Sequence, residues 1–308
     1  NEMKKEDIIQ NPQEYDLSIE TVGTGTLRSP MSGVRFVSDE QRVCLTTDMQ
    51  TLDKLKAENL SIPSLEAAGP RETIFHDPSW TRAAIVTCGG LCPGLNNVIK
   101  SLVQVLWFDY GVRNIFGIPY GYRGLNPDYG YSPVVLTPEV VDAIQEDGGT
   151  ILGSSRGNQD TKVMVDTLMR LNINMLFCIG GDGTLRGAKD IAAEIKRRRQ
   201  PISVVGIPKT IDMDIPLTDK TIGFDTAVNT VIWAINNLRD TMHSHDRVGL
   251  LEVMGRNCGD IALYAGIAVG ATAIVTKEFP YDEEKLMNAV KTVFDLRPRE
   301  IIKALDLR

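Results

Sequence analysis

No uninterrupted apolar run in the sequence reaches the roughly 18 residues that a membrane-spanning helix needs, so no membrane association is expected. Histidine is scarce: His76, His243 and His245 stand apart from any nucleophile or metal-ligand pattern, which leaves each of them structural or solvated. The five cysteines are odd in number and lack a disulfide-type framework. They suit a reducing compartment, and a cytoplasmic location is expected. Cys88 and Cys92 lie four apart but have no further ligands nearby to complete a zinc site, and both read as packing residues. Positive charge is also in deficit. With 33 Lys and Arg against 40 Asp and Glu the formal net charge is −7, which argues against a nucleic-acid binder. The basic run Lys196-Arg197-Arg198-Arg199 ends a helical pattern, where cations complement the helix dipole, and reads as a solvated helix end. A serine-hydrolase reading fails, because Ser154 and Ser155 lie outside a nucleophile elbow. The opening residues, Asn1 to Asp16, are polar and acidic, unlike a secretory signal.

What is present is enough for a large core: 308 residues, of which 43% are hydrophobic. Residues 1–80 are polar and poorly periodic, with Pro30, Pro63 and Pro70 as breakers, and read as an N-terminal extension. From Arg82 onward strands and helices alternate. Strands are predicted over 82–88, 113–119, 174–180, 202–208, 248–254 and 271–276. Helices are predicted over 94–110, 138–146, 160–172, 184–199, 224–242, 258–269 and 282–294. In the fourth helix Leu185, Ala188, Ile191, Ala192 and Ile195 fall on one stripe. Met164, Leu168 and Leu171 read as core, and Trp107 and Trp233 as packing anchors. Alternating βαβ units imply an α/β fold with a mainly parallel sheet covered by helices on both faces.

Chemistry concentrates at three strand ends. The apolar run Met175–Ile179 leads into Gly180-Gly181-Asp182-Gly183-Thr184 and then a helical pattern. Glycines there let backbone N–H groups approach phosphate oxygens, and the helix N-terminus adds partial positive charge. An aspartate in such a turn repels phosphate unless it holds a cation, and Mg²⁺ commonly takes one carboxylate plus waters and phosphate oxygens. A second strand, Ala83–Cys88, ends in Gly89-Gly90-Leu91-Cys92-Pro93-Gly94-Leu95-Asn96-Asn97. A third, Ile202–Ile207, runs into Pro208-Lys209-Thr210-Ile211-Asp212-Met213-Asp214. Period-two alternation is expected to put Asp212 and Asp214 on one face with Thr210, where open α/β sheets bind ligands.

Five segments in order give the chain its resemblance to the 6-phosphofructokinase family: GGLCPGLN at 89–96, GGTILGSSR at 148–156, GGDGT at 180–184, PKTIDMD at 208–214 and MGRNCGD at 254–260. The resemblance covers roughly residues 80 to 280. It implies a phosphofructokinase-like fold and Mg²⁺-dependent transfer of the ATP γ-phosphoryl to the 1-hydroxyl of fructose 6-phosphate. Asp182 is then the Mg²⁺ ligand and Asp212 the base on the sugar hydroxyl, with Thr210 positioning the reacting groups. The Gly90 backbone and the Arg156 guanidinium stabilise charge on the transferring phosphoryl. Gly90, Tyr122, Arg156, Gly181, Asp182, Gly183, Thr184 and Arg186 match nucleotide-binding positions. Thr210, Asp212, Asp214, Met254, Gly255 and Arg256 match sugar-phosphate positions, and Arg247 matches an arginine supplied by a neighbouring subunit. That last match implies a homo-oligomer, a tetramer in the family.

The resemblance is uneven. Gly183 has the character of an ATP user and Lys209 that of pyrophosphate-dependent relatives, so both bear on donor selection. ATP is the expected donor and pyrophosphate the alternative; a catalytically weak nucleotide-binding scaffold is the alternative of another class. Met213 stands where the family usually has asparagine and is expected to point away from the aspartates. The family continues well past its MGR segment, so the sugar-binding lobe is expected to be incomplete. Val293 to Arg308 instead is similar to a segment of S-adenosylmethionine synthetase. The expected layout is an extension (1–80), a nucleotide-binding lobe (81–225), a partial substrate lobe (226–292) and an atypical tail (293–308).

Overall fold

The computed structural model describes residues 5–245, 247–294 and 300–304. The chain forms two compact units, one of Asn1–Gly89 with Asn96–Ile207 and one of Gly90–Leu95 with Pro208–Arg308.

In the first unit the sheet is built from β1 (Arg82–Thr87), β2 (Asn114–Ile118), β3 (Val134–Val135), β4 (Met175–Gly180) and the start of β5 (Ser203–Thr210). Their order is β5-β4-β1-β2-β3. Strand β1 is parallel to both β2 and β4, and only the short edge strand β3 runs antiparallel, to β2. Every residue of β1 and β4 after the first is buried, as expected of unbroken apolar strands in a sheet covered on both sides. Three helices flank it: α1 (Leu95–Gln104), α2 (Thr161–Arg170) and α3 (Asp182–Arg197). Ala84, Val86, Leu176 and Cys178 from the strands pack with Met164, Leu168, Ala188, Ile191 and Ile195 from α2 and α3 in one core cluster. The basic run at the end of α3 is held by acids: Arg197 and Arg198 pair with Glu194, Arg198 also with Asp166, and Lys196 with Glu20.

Several expectations need correction. The helix predicted over 138–146 is a series of turns with a single 3₁₀ turn at Ile144–Glu146. Its buried residues, Val141 and Ile144, are three apart, a spacing one tight turn satisfies without the cost of nucleating an α-helix. Helix α1 stops at Gln104 and continues to Asp109 as a wider π-type turn. The first eighty residues hold more order than their weak periodicity suggests. Helix Met49–Ala57 is capped by the Asp48 side chain, which accepts from the Thr51 N–H at 2.9 Å. Leu27–Arg28 pairs with Thr73–Ile74, and Arg42–Cys44 with Ser64–Glu66. His76 is structural, its Nε2 2.7 Å from Ser203 Oγ.

In the second unit Lys209 and Thr210, the end of β5, pair in parallel with β6 (Ile222–Gly223). Then follow α4 (Phe224–Ser244), β7 (Gly249–Val253), α5 (Asp260–Val269), β8 (Ala273–Val275), α6 (Glu283–Phe294) and β9 (Glu300–Ala304). Strand β9 lies between β7 and β8, parallel to both. Phe224, Val228, Ile235, Val253, Ile261, Ala262 and Ala265 form the core. Trp233 is not the anchor expected: it is 68% exposed. It follows Phe224 by nine residues, half a turn round the helix from the buried stripe. Of the tail likened to S-adenosylmethionine synthetase, residues 295–299 and 305–308 lie outside the described residues. No helix among the described residues is long and apolar enough to cross a membrane.

Candidate active site

In the first unit β1 is the strand at which the order reverses, with β2 on one side and β4 on the other, so the carboxyl ends of β1 and β4 mark the switch point where open sheets bind ligands. Both ends carry glycine turns. At the end of β1 the Thr87 hydroxyl donates to the Gly153 carbonyl at 2.7 Å and the Ser154 hydroxyl to the Gly89 carbonyl at 2.7 Å. The Gly89 N–H donates to the Ser155 carbonyl at 3.0 Å. Asn96 secures the other end of that segment, donating to the Asp147 carbonyl at 3.1 Å and accepting from the Ile151 N–H at 2.9 Å. These bonds fix the 148–156 segment that presents Arg156, whose side chain is exposed. Sequence reasoning missed this scaffold role of Thr87, Asn96, Ser154 and Ser155; the hydroxyl pair directly before Arg156 was the available signal.

At the end of β4 the chain turns through Gly180 and Gly181, and α3 starts at Asp182, two residues earlier than predicted. The Thr184 and Leu185 N–H groups donate to the Gly181 carbonyl at 2.9 and 3.0 Å. A Cβ on Gly180 would run into the Thr184 side chain, so the turn is closed to other residues. At Gly183 the opposite holds: a Cβ there meets nothing within 4 Å. Asp182 forms an ion pair with Arg186 one turn along α3, and its side chain remains 48% exposed. Tyr122 is buried, and its hydroxyl donates to the Thr184 carbonyl at 2.7 Å. Burial, reinforced by Cys178 and Cys88, pushes its phenol up, so it stays neutral. It supports the start of α3 from beneath.

Among the described residues no group of three or more His, Cys, Asp or Glu could hold a metal. That does not fit a resident, all-protein metal site. It does fit a Mg²⁺ that arrives on phosphate oxygens and needs one partly exposed carboxylate, which Asp182 offers.

In the second unit the three acceptor-side residues come together, but not by strand alternation. Strand β5 ends at Thr210, and Met213 adopts φ 57°, in the left-handed region. The chain therefore turns: the Asp212 N–H donates to Thr210 Oγ1 at 3.1 Å, and that hydroxyl donates to Asp214 Oδ1 at 3.1 Å. Asparagine, the residue expected here from the family resemblance, tolerates that region more readily than methionine does. Met213 packs its side chain against the Phe224 cluster. Asp212 Oδ1 is buried and has no hydrogen-bond partner. Burial raises the Asp212 pKa above the ordinary carboxylate value, and the Asp214 charge adds to it. The Arg256 backbone N–H, the Lys209 ammonium and the Arg256 guanidinium pull it back. Lys209 is 4% exposed, and its ammonium donates to the Gly90 carbonyl. Gly255 is buried with φ 148°, whereas the Met254, Arg256 and Arg247 side chains are exposed.

The family model described as Phosphofructokinase matches residues 82–304. An ATP-dependent 6-phosphofructokinase of Entamoeba histolytica is 53% identical over 212 residues, 68% of this chain and 48% of that protein. One of Amycolatopsis methanolica is 41% identical over 276 residues, 86% of this chain and 60% of that protein. The chain thus spans about half the length of the curated relatives it matches. Among solved structures, Pichia pastoris phosphofructokinase in the T-state superposes with a TM-score of 0.66 at 22% identity, over 75% of this chain and 25% of that one, a likeness of fold. With glycine turns at the carboxyl ends of β1 and β4, an aspartate pair after β5 and a family match across most of the chain, this protein belongs to the phosphofructokinase family.

Proposed function

We propose that the protein is an ATP-dependent 6-phosphofructokinase that transfers the ATP γ-phosphoryl to the 1-hydroxyl of fructose 6-phosphate. The observation that carries this reading is Asp212. It is a carboxylate with one buried, unpartnered oxygen, beside a second carboxylate, two residues beyond the end of β5. A base needs this: an oxygen free to accept a proton, and a pKa raised toward the working pH.

In the step proposed, the acceptor hydroxyl gives its proton to Asp212 as its oxygen bonds to the γ-phosphorus. The bond from that phosphorus to the bridging oxygen breaks, and ADP leaves. The Gly90 N–H and Arg156 take up charge on the transferring group, a role a planar guanidinium suits. Gly181, Gly183 and Thr184 approach the donor phosphates at the start of α3, and Arg186 lies one turn further on. Bound Mg²⁺ neutralises donor-phosphate charge, and Asp182 is the carboxylate that would hold it. Thr210, Asp214, Met254, Gly255 and Arg256 contribute to the sugar-phosphate site. The exposed Arg247 is available to a neighbouring copy in a homo-oligomer, and the odd cysteine count accords with the cytoplasm.

Incubating the purified chain with fructose 6-phosphate, Mg²⁺ and either ATP or pyrophosphate, with coupled detection of fructose 1,6-bisphosphate, tests the reading. Product with ATP is expected. Product with pyrophosphate alone would transfer the protein to the pyrophosphate-dependent class, and ATP binding without product from either donor would make it a scaffold.

A further inference from the structure

The segment Gly90–Leu95 belongs to the second compact unit, although the strand it follows belongs to the first. Ties from one bridge of the β5–β6 ladder, where Lys209 pairs with Ile222, help to hold it there. From one side of the bridge the Lys209 ammonium donates to the Gly90 carbonyl. From the other, the Ile222 carbonyl accepts from Cys92 Sγ at 3.3 Å. Gly223, at φ 104°, lets Cys92 come so close that a Cβ there would lie 2.9 Å from its sulfur. Lys209 itself is 4% exposed. Sequestering an ammonium costs several kcal/mol unless it is paired, so a lysine kept here must have its charge in use.

We propose that Lys209 is a positioning residue for phosphoryl transfer: its ammonium fixes the Gly90 peptide of the glycine turn and sets its place relative to Asp212. The inference rests on the function proposed above, and it differs from a role in choosing the donor. A lysine that selects pyrophosphate acts on the donor directly; one committed to the Gly90 carbonyl acts through the turn, whichever donor is bound. It follows that both donors feel its loss alike. The Lys209 charge also acts to lower the Asp212 pKa, as does that of Arg256, while the Asp214 charge acts to raise it. Removing it leaves Asp214 and burial less opposed. The Asp212 pKa then rises, and the acid limb of the rate profile moves to higher pH.

Lys209→Met, which keeps the stem and removes the charge, is compared with Lys209→Arg, which keeps the charge. Three readouts are taken: donor affinity by calorimetry, kcat across pH, and amide hydrogen exchange of residues 90–95. In Lys209→Met the kcat is expected to fall ~10- to 100-fold, by similar factors for ATP and for any pyrophosphate activity, as for a displaced catalytic group. ATP affinity is expected to stay within ~3-fold, since no donor contact is removed. The acid limb moves up in Lys209→Met and returns toward the parent in Lys209→Arg. Exchange of residues 90–95 accelerates in Lys209→Met while β1 and β4 are unchanged. Unaltered kcat, weakened donor binding at unaltered kcat, or a loss confined to pyrophosphate would each overturn the proposal. If the parent shows no turnover the proposed function fails by itself, and hydrogen exchange alone then decides whether Lys209 holds the turn. Lys209→Gln replaces Lys209→Met if the latter does not fold.

Discussion

Asp182 sits where two influences stabilise its negative charge, the N-terminus of α3 and the Arg186 guanidinium four residues on. An exposed pair of this kind contributes ~1 kcal/mol or less, so a metal–phosphate complex can replace it at small cost. Asp182→Ala is therefore expected to weaken Mg·ATP binding while leaving fructose 6-phosphate binding nearly unchanged. Calorimetry with and without Mg²⁺ checks this, and equal Mg²⁺ dependence in parent and mutant would reduce the carboxylate to a helix-start residue. Next to it, Gly183 has open space on its Cβ side. Gly183→Asp can therefore fold, and it places a second carboxylate beside the first. Repulsion should cost ATP more than pyrophosphate, because the nucleoside adds steric conflict to the charge. The ratio of kcat/KM for ATP to that for pyrophosphate is expected to fall. An unchanged ratio in a folded mutant would remove Gly183 from donor choice. Both tests depend on residues readable in the sequence, whereas the pairing of Asp182 with Arg186 needed the helix to begin two residues early.

At the scale of elements, what was legible followed from uninterrupted signals. Strands β1 and β4 are continuous apolar runs, and α3 carries a clean stripe through Ala188, Ile191 and Ile195, so their positions could be read directly. The misreadings lie where a local pattern competes with context. The 138–146 segment has apolar residues at a spacing that a tight turn satisfies as well as a helix. The Asp212–Asp214 pairing was anticipated, but by the wrong geometry: alternation ends at Thr210, and a left-handed Met213 turns the chain. The C-terminal turn of α3 adds a property of its own. Glu194 is held down to about 2 by hydrogen bonds from Arg197 and Arg198. A depressed carboxylate adds stability above its unfolded value of 4.5 and loses it as pH falls toward 2. Glu194→Gln should thus lower the urea midpoint at neutral pH, with the gap to the parent narrowing toward about pH 3. A gap that is constant with pH would show that the arginines do not depend on that charge.

For the molecule as a whole, the glycine turn between β4 and α3 lies in the first unit and the Asp212–Asp214 pair in the second. The family match spans both, from residue 82 to 304. Membership could be read from five short motifs because their order and spacing constrain one another. The buried, unpartnered Asp212 oxygen and the Lys209–Gly90 bond could not, since burial and partner choice arise only from packing. The claim most open to test is that Asp212 is the base. Asp212→Asn keeps the volume and removes the proton acceptor, so ATP affinity by calorimetry should stay near the parent's while kcat falls by ~10²- to 10⁴-fold. In the parent, kcat should fall on acidification through a pKa above the ordinary 3.8 of an aspartate, the direction set by burial and Asp214. The decisive measurement is the kcat of Asp212→Asn with its nucleotide affinity intact. A loss in that range is the result predicted here, and turnover within ~3-fold of an active parent would contradict it.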